Sequence, residues 1–115
     1  MPQLPARPIL TWQQIATIAQ QFSDDNGLAE RDYPLDVEVI AEFDLDIEIR
    51  TVGGILDECG MPAQLGPGGQ RPIIVVDADQ WRAQTSYYRF SVAHEIGHYV
   101  LHREWLRGVW ALYDS

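Results

Sequence analysis

Apolar and polar positions alternate with two different periods along the chain. Trp12, Ile15, Ala16, Ile18, Ala19 and Phe22 keep the spacing of one helix face. Thr11 is a good N-cap for that helix, and residues 23–27 supply its stop. The stripe reads as core. Residues 1–10 carry three prolines and read as an extended lead-in. Tyr33-Pro34 breaks the chain, and Asp36 can cap a second helix whose buried side is Val37, Ile40, Ala41 and Phe43. The period then becomes two. Leu45, Ile47 and Ile49 alternate with Asp46, Glu48 and Arg50, which predicts a half-buried strand punctuated by Gly53-Gly54. A short strand is expected around residues 63–65, and a turn at Gly66-Pro67-Gly68-Gly69. This turn lacks the Lys-Ser/Thr of a phosphate loop and does not open a helix. Residues 72–77, PIIVVD, are a continuous β-branched run and predict a buried or central strand.

The last pattern is helical again. Residues 86–106 contain no proline and one glycine, with apolar side chains at Phe90, Val92, Ala93, Ile96, Tyr99, Val100 and Leu101. Gly108 is placed to end this helix, with a short apolar turn over residues 109–113.

Composition narrows the function classes. A chain of 115 residues has room for one domain with one modest core. The 17 acidic and 8 basic side chains give a formal charge of −9, which repels phosphate backbones and argues against direct nucleic-acid binding. The acid excess also serves solubility. Cys59 is alone, so there is no disulfide framework. No apolar run approaches the ~20 residues that span a bilayer, and the N-terminus lacks a signal layout. The expectation is a cytoplasmic protein with no membrane partner.

The candidate chemistry lies in RFSVAHEIGHYVLH, residues 89–102, which holds all three histidines. Residues 94–98 spell H-E-x-x-H, a pattern that arises in roughly three of a thousand shuffles of this composition. On a helix, His94 and His98 lie one turn apart on one face and can reach one ion at about 2.0–2.1 Å. Glu95 is turned by about 100°, so it is placed to reach a water on the metal rather than to join the same pair of bonds. Such an ion lowers the pKa of its water towards ~7. The site residues are therefore His94 and His98 as metal ligands, Zn2+ as cofactor, and Glu95 as the catalytic base.

The chain resembles the ImmA/IrrE family of metallopeptidases. The likeness begins at PLDVEVIAEFDLDIEI, continues through RPIIVVD and ends in YYRFSVAHEIGHYVLH. Arg89, Phe90, Ala93, His94, Glu95 and His98 fill the family's R-F-x-x-A-H-E-x-x-H pattern. The resemblance implies zinc, peptide-bond hydrolysis and an α+β, zincin-like fold: a small twisted, antiparallel or mixed sheet of about three strands packed against helices, with the motif helix at its centre. It also implies a substrate class: a helix-turn-helix transcriptional repressor of phage, mobile-element or stress-response control.

The family supplies its third metal ligand as a carboxylate from a helix well downstream, and this sequence ends 17 residues after His98 without a matching run. His102, Glu104, Asp114 and a partner chain remain as alternatives, or the ligand is absent. Tyr88, Tyr99 and Arg89 are candidate oxyanion donors by residue type only, and the strand over residues 73–76 is placed to take the substrate as an added extended peptide. The rival expectation is a catalytically impaired module of the same fold, binding a repressor without cutting it.

Overall fold

The computed structural model describes residues 5–54, 62–79 and 85–113, and within these the chain forms two compact units. The first joins residues 1–35 to residues 97–115, and the second is residues 36–96.

In the first unit, α1 runs over Trp12–Asn26. It starts because Thr11 and Gln14 form a capping box: the Gln14 N–H donates to Thr11 Oγ1 at 3.1 Å, and the Thr11 N–H to Gln14 Oε1 at 2.8 Å. It stops because Gly27 adopts the left-handed conformation, φ 62°, and its N–H turns back onto the Asp24 carbonyl. Gln20–Asp24 and Gln21–Asp25 hydrogen bonds, at 2.9 and 2.7 Å, support its surface. The expected core stripe is corrected here. No residue of α1 is buried, Trp12 is 86% exposed, and Ile15, Ile18 and Phe22 are half-buried. The helix is held by its caps and local bonds more than by packing. Leu28 and Tyr99 are the buried apolar residues of this unit among the described ones, and Trp105 Nε1–H donates to the Pro5 carbonyl at 2.8 Å.

The second unit carries the sheet. Asp36 caps α2 (Val37–Val39) by accepting from the Glu38 and Val39 N–H groups. The chain then widens into a π turn, Ile40–Asp44, closed by Leu45 N–H to the Ile40 carbonyl. Ile40 and Ala41 are buried as expected, but Phe43 is 80% exposed, because the wider turn rotates it away from the face that Ile40 occupies. Asp46 then takes φ 54°, the left-handed region. β1 therefore begins at Glu48, three residues after the alternation does, and runs Glu48–Val52. Leu45 and Ile47 are still buried, but as part of the helix exit, with Ile47 N–H donating to the Ala41 carbonyl at 2.8 Å.

β2 is Ala63–Gly66 and β3 is Ile73–Asp77. The sheet order is β1-β3-β2, with β1 parallel and β2 antiparallel to β3, so the sheet is mixed. Alternation sorts β3: Ile74 and Val76 are 0% and 1% exposed, while Ile73 and Val75 are half-buried on the other face. The turn before β3 depends on Gly68, where a Cβ would stand 2.1 Å from the Arg71 carbonyl oxygen. β3 lies between two partners, so both its edges are already paired. The expectation that a peptide adds to this strand is thereby corrected; among the described residues the open edges belong to β1 and β2.

α3 runs over Thr85–Tyr113, continuing through Gly108. A glycine inside a helix costs about 1 kcal/mol and ends it only where the backbone turns left-handed, which Gly108 does not do. Among the described residues the architecture is α+β, a three-stranded mixed sheet accompanied by α1, α2 and α3. No helix among the described residues is long and apolar enough to cross a membrane.

Candidate metal centre

The orientation of α3 is set by its buried stripe. Tyr88, Val92, Ile96 and Tyr99 recur at helical spacing, and all are under 10% exposed. At about 100° per residue, this turns His94 outward and leaves Glu95 and His98 on the flank. The observed burial agrees: His94 is exposed, and Glu95 and His98 are half-buried. The segment between the two histidines is regular helix, so their Cβ atoms are about 5–6 Å apart on neighbouring turns. Phe90, one turn before His94, is 67% exposed with its ring centroid 6.3 Å from the imidazole.

Glu95 points to the sheet. Its Oε2 accepts the main-chain N–H of Leu65, on β2, at 3.2 Å. This bond joins residues 30 positions apart and fixes where the carboxylate stands. It is a contact of a candidate site residue that sequence reasoning missed. A backbone donor carries no residue signature; the only signal was the expected short strand at residues 63–65.

The two imidazoles suit a borderline divalent ion such as zinc. Among the described residues, however, no group of three or more His, Cys, Asp or Glu side chains is gathered that could hold a metal. His102 and Glu104 are thus not brought to the His94–His98 pair. α3 kinks at His102, whose backbone leaves helical values (φ −128°, ψ 29°). Its Nδ1 is buried without a hydrogen-bond partner. Burial first, then the charges of Arg7 and His98, lowers its pKa, so the ring favours its neutral form. Asp114 lies outside the described residues. His94 and His98 would supply two of the three protein ligands of a catalytic zinc site, and a third is not gathered beside them among the described residues.

The oxyanion donors chosen by type are corrected for both tyrosines. Tyr88 is 4% exposed and its hydroxyl donates to Glu38 Oε1 at 3.0 Å. Burial, then the bond to Glu38 and the nearby carboxylates of Glu38, Glu42 and Asp36, raises its pKa well above the tyrosine range. Tyr99 is 2% exposed, with the Arg103 guanidinium 4.7 Å above its ring. Arg89 is half-buried. The glycine-rich turn borders a separate hollow of about 540 Å³ on the Ile73–Val75 face. Its arginines are engaged: Arg50 with Glu48 at 2.7 Å and Arg71 with Asp46 at 3.2 Å. It does not offer bare cations to a phosphate.

Comparison with known proteins found no matching family model, no matching curated protein and no matching solved structure.

Proposed function

We propose that this protein is a zinc-dependent metallopeptidase of the ImmA/IrrE type, cutting a peptide bond in a helix-turn-helix repressor. The observation that carries the reading is the placement of H-E-x-x-H: on regular helix, His94 turned outward, and Glu95 tied by its carboxylate to an edge strand. His94 and His98 would hold the metal, together with a donor from beyond the described residues. When bound, zinc supplies Lewis acidity and a water of lowered pKa. Glu95 is the proton carrier, holding at its carboxylate the proton taken from the water and passing it to the leaving amine. The zincin-like character of the fold, the repressor as substrate and a cytoplasmic setting belong to the same proposal. They rest on the resemblance of residues 89–98 and on the acidic surface, which disfavours direct contact with nucleic acid.

A second reading has one observation in its favour. The lack of a three-donor group among the described residues suits a non-cleaving module that binds a repressor. The two readings part at Glu95→Gln. For a peptidase, this variant keeps its zinc and loses about 10²–10⁴-fold in cleavage of a purified repressor. A wild-type protein that is zinc-loaded, binds the repressor and leaves it intact would establish the module instead.

A further inference from the structure

Among the described residues, the β2 edge away from β3 has no partner strand, and two of its positions turn outward. Asp77 N–H donates to the Pro62 carbonyl at 2.9 Å, so the Pro62–Asp77 pair is hydrogen-bonded. In an antiparallel ladder, such pairs alternate along the strand. With Ala63 opposite Val76 and Gln64 opposite Val75, the Gln64 and Gly66 main chains turn to β3, and those of Ala63 and Leu65 turn outward. The Leu65 N–H is one of the donors that an extended peptide would need to add a strand here. It is already taken, because it donates to Glu95.

We propose that Glu95 caps the β2 edge, and that an extended peptide pairing with β2 displaces it, so that docking of the peptide releases the carboxylate. The peptide's carbonyl takes over the Leu65 N–H, and the Glu95 carboxylate gives up this partner on the sheet. In the unliganded protein the same bond blunts an open strand edge, a feature that otherwise invites pairing with other chains. The catalytic meaning of the release rests on Glu95 being the base proposed above. The capping itself does not, since strand and carboxylate compete whether or not metal is bound.

The test uses the full chain, metal-free and 15N-labelled, titrated with the uncharged, β-prone peptide acetyl-(Thr-Val)3-amide and followed by amide spectra. The expected result is that the Ala63 and Leu65 amides shift, and that Glu95→Ala binds the peptide about five- to tenfold tighter than wild type. Leu65→Pro, which removes the outward N–H from an edge position where proline is tolerated, should not bind. Without peptide, the Leu65 amide should exchange with solvent faster in Glu95→Ala than in wild type. Equal affinity in wild type and Glu95→Ala, shifts confined to β1, or unchanged exchange at Leu65 would overturn the proposal. Zinc plays no part in these readouts, so a failed peptidase assay and a failed capping test remain separate results.

Discussion

The two compact units differ in how they are held. Residues 36–96 contain ten of the twelve buried apolar side chains among the described residues, from Ile40 to Ile96. The unit formed by residues 1–35 and 97–115 contains the other two, Leu28 and Tyr99. One unit is a packed sheet and helix; the other relies on caps, such as Thr11–Gln14, and on single bonds, such as Trp105–Pro5. The contrast places two of the three candidate site residues in the better-buried unit. His94 and Glu95 belong to the packed unit, and Glu95 is fixed by the sheet itself. His98 follows on the same helix, in the segment assigned to the sparsely buried unit.

The contrast can be broken most decisively by truncating each unit. Ile74→Ala empties a fully buried position in the middle strand and should cost about 2–5 kcal/mol in urea denaturation. Trp12→Ala, though it removes a larger side chain, should stay within about 0.5 kcal/mol, because that side chain is 86% exposed. Comparable losses for the two would show that α1 is packed after all.

A smaller effect is expected at Tyr88. Tyr88→Phe deletes its bond to the exposed Glu38 carboxylate and should cost about 1 kcal/mol near neutral pH. Since the folded-state pKa of Tyr88 is raised, the folded protein keeps a proton that the unfolded chain releases above pH ~10. The contribution is therefore complete below pH ~10 and is lost as pH rises beyond it. Denaturation series at pH 8 and pH 11 should show wild type losing more stability than Tyr88→Phe over that interval. Equal losses would place the Tyr88 hydroxyl in water.

Thr11→Ala should remove about 1 kcal/mol from α1 locally, read as faster hydrogen exchange at the Gln14 amide, with little change in global unfolding. A full loss in global stability would mean that the caps report on the whole fold. Least of all is expected from Phe43→Ser, within about 0.5 kcal/mol, because the π turn leaves this ring in solvent.

The sequence was most informative where local chemistry dominates. The start of α1 at Thr11, the Asp36 cap, the short β2 and the central β3 all follow from caps, glycines and β-branched runs. It was least informative where the backbone chose between two ways of burying the same residues. Leu45 and Ile47 alternate as a strand would, yet Asp46 bends left-handed between them and both are buried at a helix exit. The exposure of Phe43 and Phe90 has the same origin, since apolar type predicts burial but the turn and the stripe direction decide it. For the site, the H-E-x-x-H spacing was legible because it is a helical pattern of side chains. The Glu95–Leu65 bond was not, because it depends on strand pairing and uses a main-chain donor. The engagement of Tyr88 with Glu38 spans 50 residues and leaves no local trace.

The metallopeptidase proposal requires that His94 and His98 hold an ion. Elemental analysis of the purified protein beside His94→Ala measures this most directly. A metallopeptidase should hold close to one zinc per chain in wild type and lose it in the variant, which would also mean that a further donor joins the two imidazoles. Little zinc at neutral pH, or zinc that His94→Ala retains, would contradict the metallopeptidase reading.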